Sequence, residues 1–195
     1  MAVKDKSLLH SLDEFPQQVL LTNRLQVADI LEHILDWTGP ADLWQTTFSV
    51  SEEFLRRMFY IRQRGKIISA NVILDYKGGQ KTLKLWHFIE SVFDSSFMAD
   101  NHSKIILAKG RSSGRVVSVI TSQNLTRGNR FESSILTTER DIFSSLLKEW
   151  EEIAGRKSIP LDELLRSAAD NHSETGFDRF TAKILLTDGS HRHGG

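Results

Sequence analysis

The feature that most constrains the fold is an alternation, between Leu43 and Ile153, of short β-rich runs with stretches of helical period. Residues 43–50 are rich in Thr, Phe and Val, side chains that suit a pleated, half-buried surface. Ser51 followed by Glu52 and Glu53 then opens a helix. A serine hydroxyl accepts from an otherwise unpaired N–H there, and acidic groups suit the positive end of the helix dipole. Phe54, Leu55, Met58, Phe59 and Ile61 carry that helix to Gly65. A second strand over 66–76 contains the run Val72-Ile73-Leu74, Gly78-Gly79 makes a turn, and 82–93 forms the next helix candidate, although its Leu83, Leu85, Trp86, Phe88 and Ile89 also suit a strand. Strands over 104–108 and 115–121 flank the hairpin loop Gly110-Arg111-Ser112-Ser113-Gly114. A strand over 132–138 precedes a helix from about 140 to 153, whose Phe143, Leu146, Leu147, Trp150 and Ile153 make an apolar stripe for the core or for a dimer face. Upstream, Asn23 caps an expected helix over 24–37 that Gly39-Pro40 ends. The order implies an α/β (α+β) class: a mixed β-sheet flanked by helices.

A chain of 195 residues fits one compact domain. The expected division is a lead-in over 1–22, broken by Pro16, a domain over 23–155, and a partly disordered extension over 156–195. That extension holds a short helix candidate (161–169), a strand candidate (181–187) and the polar run His191-Arg192-His193. Lacking cysteine, the chain has no disulfides or thiolate metal sites, and its seven histidines contain no pair at the H-E-x-x-H spacing. The 25 Lys and Arg balance 25 Asp and Glu. A general nucleic-acid coat would instead be basic. The N-terminal MAVKDKSLLHSLDEF lacks the apolar run of a signal peptide, and no stretch is long and apolar enough to span a bilayer. The expectation is a cytoplasmic protein that does not engage a membrane.

Chemistry gathers in one segment, NHSKIILAKGRSSGRVVSVITSQNLTRGNRFESSIL. His102 and Lys104 stand two residues apart at the expected start of a strand, so both side chains share a face. Ser122 and Asn124 repeat that spacing after the following strand, and Glu132 opens the third. If the three strands are neighbours, an imidazole, an ammonium, a hydroxyl, a carboxamide and a carboxylate meet at one sheet end. Such a set suits a phosphodiester: imidazole attacks phosphorus, Lys and Asn hold the nonbridging oxygens, and Glu orients the ring. Arg111, Arg115, Arg127 and Arg130 fall in loops expected to flank the site. His87, beside Trp86 and Phe88, is expected to be packed.

The motifs His102-Ser103-Lys104, Ser122-Gln123-Asn124 and Asn129-Arg130-Phe131-Glu132 resemble the phospholipase D superfamily over about residues 24–153, one catalytic half of its fold. The resemblance implies a metal-independent phosphodiesterase with no cofactor, acting through a phosphohistidine on His102. Lys104, Ser122 and Asn124 would bind phosphate with Arg127 and Arg130, and Glu132 would orient His102. A single H-x-K implies a homodimer in which two copies of His102 share a site, as in endonuclease members that cut DNA. Lys109 stands where the common pattern has Asp, and Thr121 where Gly is usual; the first puts the subfamily in question. The motifs equally fit a non-catalytic module that binds nucleic acid or a partner protein. A phospholipase is a weaker alternative, because no amphipathic membrane segment stands out.

Overall fold

The β-branched runs pair into one eight-stranded mixed sheet in the computed structural model, which describes residues 6–78 and 84–170. Its strands are β1 (Gln17–Thr22), β2 (Ala41–Thr47), β3 (Ile67–Asp75), β4 (Ser95–Ala99), β5 (Ile105–Gly110), β6 (Val116–Thr121), β7 (Glu132–Thr137) and β8 (Ile159–Pro160). They lie in the order β1-β7-β6-β5-β2-β3-β4-β8. β2, β3 and β4 run parallel, and every other neighbour is antiparallel. The helices are α1 (Val27–Thr38), α2 (Glu52–Gln63), α3 (Trp86–Val92), α4 (Arg140–Arg156) and α5 (Leu161–Asp170).

Two apolar layers hold the sheet. On one face Leu43, Ile106, Ala108, Val119 and Leu136 meet the buried stripes of α1 and α2, such as Ile30, Ile34, Leu55 and Met58. On the other lies α4, with Phe143 against Leu107 and Val116. Trp150 sits on Ile73 and Ala99. The Trp150 indole N–H donates to the Gln45 carbonyl at 3.0 Å, so this side chain contributes packing and a buried hydrogen bond. Trp150→Ala is expected to cost ~3–5 kcal/mol, read as a lower denaturant midpoint in urea; an unchanged midpoint would show that α4 is not a structural cover.

Ser51 caps α2 as expected, its Oγ accepting from Phe54 N at 3.3 Å. Gly39 ends α1 with φ 73°, a backbone region that glycine enters without a Cβ clash. The start of α1 differs from expectation. Thr22 Oγ1 takes the Arg24 N–H at 3.0 Å and Asp29 Oδ2 takes the Gln26 N–H at 3.0 Å, so residues 23–26 turn and Gln26, not Asn23, is the cap. The expected lead-in also contains an edge strand: β1 pairs with β7 over its whole length. Within the expected extension, β8 pairs with β4 and Leu161 and Leu164 of α5 join the core. The strand candidate at 181–187 lies outside the described residues, and the 82–93 helix is realised as α3. β4, unanticipated, is held by parallel pairing to β3 despite its two serines.

Candidate active site

Strand direction alone brings the motif residues together. Since β5 and β7 run against β6, the start of β5, the end of β6 and the start of β7 share one sheet end. The ends of β2, β3 and β4 arrive there as well. His102 and Lys104 stand in the β4–β5 loop, just ahead of β5 rather than in it as expected. They still meet: Lys104 Nζ lies 3.3 Å from His102 Nδ1 and donates to the His102 carbonyl at 2.6 Å. The exposed imidazole packs on the Phe48 ring, with centroids 5.3 Å apart, and Lys104 Nζ lies 6.0 Å from the same ring.

Asn124 follows β6. Its Oδ1 accepts from Phe48 N at 3.2 Å and Thr47 Oγ1 at 3.4 Å, so the remaining end of the amide is the Nδ2 donor. Leu125 N donates to Thr47 Oγ1 at 3.0 Å, locking this loop to the end of β2. Glu132 accepts from the Ser122 hydroxyl, and Ser133 N donates to Ser122 Oγ at 3.1 Å. The expected Glu132–His102 bond is not formed: among the described residues Glu132 engages Ser122 and, at 3.9 Å, Arg130. The reason is local, since Ser122 ends the neighbouring strand β6, which itself separates Glu132 at the start of β7 from the His102 loop that leads into β5.

The arginines divide. Arg111 pairs with Asp42, and Arg115 with Asp13, at the opposite end of β5 and β6, so neither flanks the site as expected. Arg127 pairs with Glu53 at 3.1 Å, while Arg130 is 82% exposed at the mouth beside Phe131, itself 72% exposed. The loop carrying them is pinned by Gln26, whose amide donates to the Gly128 carbonyl at 2.7 Å and accepts from its N–H at 3.1 Å.

Burial lowers the Lys104 ammonium pKa from its ordinary value, while the Asp75 and Glu132 carboxylates act to raise it. Lys104 is thus the cation that two acidic groups from separate strands address. Phe48, Asp75 and Asn101 were not singled out by sequence reasoning. They lie outside the spaced motif, and only their position at strand ends marks them.

No protein-family model and no curated protein matches this chain. Among solved structures, Nuc of Salmonella typhimurium, a phospholipase D family member, matches with TM-score 0.58 and 15% identity over 74% of this chain and 96% of Nuc. The chain has the phospholipase D fold. NucT of Helicobacter pylori matches at TM-score 0.56 and 12% identity, over 74% of this chain and 98% of its own. Phosphatidylserine synthase of Haemophilus influenzae matches at TM-score 0.55 and 14% identity, over 88% of this chain and 46% of the synthase. In this fold His102 and Glu132 reach one sheet end because the chain reverses direction twice between them.

Proposed function

We propose that this chain is a metal-independent phosphodiesterase that cleaves nucleic acid, an endonuclease of DNA, through a phosphohistidine on His102. The observation that carries the proposal is the convergence of His102, Lys104, Ser122, Asn124 and Glu132 at one sheet end. Lys104 and Asn124 supply donors for nonbridging oxygens, where negative charge grows as phosphorus is attacked. Arg130 and Phe131 offer the mouth a cation for a neighbouring phosphate and a ring face for an unpaired base. His102 Nε2 attacks phosphorus, forming a P–N bond as the P–O ester bond breaks. A protonated His102 of a second copy gives its proton to the leaving oxygen, then takes one from the water that breaks the P–N bond. An ammonium only donates, so in this reading Nδ1 accepts from Lys104 and the proton of the neutral resting ring is on Nε2. Phosphate drawing Lys104 onto its own oxygens releases Nδ1 to hold that proton, which leaves Nε2 free to attack. Nicking of plasmid DNA in EDTA, with hydrolysis of bis(p-nitrophenyl) phosphate, is the expected result; inactivity of purified protein on both would end this assignment.

An apolar face of the sheet supports pairing with a second copy. Val19 of β1, Ile135 of β7, Ile120 of β6 and Ile105 of β5 are register partners and form one row on the α4 side of the sheet. Ile105 is covered by α4, but Val19 and Leu21 are 74% and 75% exposed and Ile120 and Ile135 are partly exposed. Together they offer an apolar area on the order of 400 Å², about half of what one partner gives a standard interface. The row passes Ile120, two residues before Ser122, and ends at Ile105, next to Lys104 in the chain, so self-pairing of this face would set two sites close together. Val19→Asp combined with Ile135→Asp is expected to halve the mass found by light scattering and to lower cleavage at least 100-fold at equal concentration. A monomeric, fully active wild-type protein would remove the shared site.

A further inference from the structure

We propose that Asp75 is the positioning residue of this site: a buried carboxylate at the end of β3 that sets both the loop bearing His102 and Lys104 and the turn that backs Phe48. The inference rests on the phosphodiesterase assignment above and names what holds its reactive groups in place.

Asp75 is 1% exposed, and all its hydrogen bonds among the described residues come from backbone N–H groups of the site's frame. Oδ2 accepts from Asn101 N at 2.9 Å, and Oδ1 from Lys77 N at 2.7 Å and Gly78 N at 3.1 Å. A carboxylate spent in this way on two separate segments fixes their distance and orientation.

The first segment leads directly to the catalytic pair. Asn101 is itself buried; its Oδ1 accepts from Ser103 N at 3.1 Å, and its Nδ2 donates to the Thr47 and Ser103 carbonyls, both at 3.4 Å. Ser103 Oγ meets Thr46 Oγ1 at 2.8 Å. His102 is therefore flanked on both sides by residues tied to the ends of β2 and β3. The second segment supports its ring. A Cβ on Gly78 would lie 2.4 Å from the Phe48 carbonyl oxygen, so the Asp75–Gly78 turn is seated against the backbone of Phe48. Phe48 in turn packs on the His102 ring and gives its N–H to Asn124 Oδ1. One buried carboxylate thus reaches His102 from two directions, and reaches Asn124 through Phe48.

Asp75 also acts through charge. It faces Lys104 from β3 as Glu132 does from β7, and among the described residues His102 and the Phe48 ring also neighbour that ammonium. Around Asp75 itself stand Lys77, Tyr76 and the Lys77 partner Asp100. Loss of the Asp75 charge removes one of the two influences that keep Lys104 protonated, so its titration moves to lower pH.

The test compares wild type, Asp75→Asn and Asn101→Ala on bis(p-nitrophenyl) phosphate. Asp75→Asn keeps the volume, loses the charge and loses one accepting oxygen. Its kcat is expected to fall ~10–100-fold, as for residues that orient a reactive side chain. Its alkaline limb is expected to move to lower pH. Asn101→Ala loosens the same loop but keeps the Asp75 charge, so kcat falls while the alkaline limb stays in place. A folded Asp75→Asn with wild-type kcat and an unmoved alkaline limb overturns the proposal. So does an Asn101→Ala with wild-type kcat, should Asp75→Asn not fold. NMR titration of the Lys104 side chain reads the same charge effect without turnover. A protein inactive on every phosphodiester but with Lys104 titrating lower in Asp75→Asn would sink the enzyme assignment and leave Asp75 in its place.

Discussion

His102→Ala is expected to lower plasmid nicking and bis(p-nitrophenyl) phosphate hydrolysis by ~10⁴-fold or more, about 5 kcal/mol or more of transition-state stabilisation. The size follows from the chemistry. No other imidazole approaches Lys104 among the described residues, and the proposed site uses this ring twice: as nucleophile in one copy and as proton donor in the other. The ring is exposed and carries no buried hydrogen bond, so its loss leaves the core intact. Thermal unfolding should move little, which separates lost chemistry from lost folding. In wild type, rapid quench into alkaline denaturant should trap the phosphoryl group on His102 as an alkali-stable adduct that acid then releases. Undiminished nicking by His102→Ala would place the chemistry elsewhere on the molecule.

Lys104→Met is expected to cost ~10²–10³-fold in kcat/KM, about 3–4 kcal/mol, because a partly buried ammonium facing developing phosphoryl charge is lost. The pH dependence gives a sharper readout. Burial lowers the Lys104 pKa, and an ammonium is charged only below its pKa. Wild-type activity should therefore fall as pH rises through that lowered value, earlier than an ordinary lysine would dictate. Lys104→Arg keeps its charge to higher pH, so its residual activity should lose the alkaline limb even though the fork-shaped guanidinium fits less well. An alkaline limb identical in wild type and Lys104→Arg would assign that titration to another group.

How far the site could be read from sequence depended on whether a residue's neighbours were set by local order. His102 and Lys104 are two apart, as are Ser122 and Asn124, and a single hairpin intervenes; spacing alone therefore brought them to one end. Glu132 was placed correctly at the start of β7 but given the wrong partner. Which side chain fills its hydrogen-bonding reach depends on strand order, and Ser122 at the end of the adjacent β6 is nearer than the loop that leads into β5, one strand further on. Arg111 and Arg115 were misplaced for a related reason: a loop near the motif in sequence lies a full strand length from it in space. Phe48, Asp75 and Asn101 belong to no spaced motif, and each gains its role from β2, β3 and β4 running parallel.

Periodicity and capping chemistry, being local, determined the helices and most strands of this protein, and the spacing of His102, Lys104, Ser122 and Asn124 determined which of its polar side chains share one sheet end. The edge strands β1 and β8, and β4 beside β8, were decided by their partners, because short runs such as Gln17–Thr22 gain their stability from ladder pairing across the chain. Tertiary structure alone also decided what surrounds His102: a phenyl ring from the end of β2, an ammonium two residues on, and behind them a carboxylate from the end of β3. Contacts among groups so far apart in the chain exist only once the sheet has closed its order.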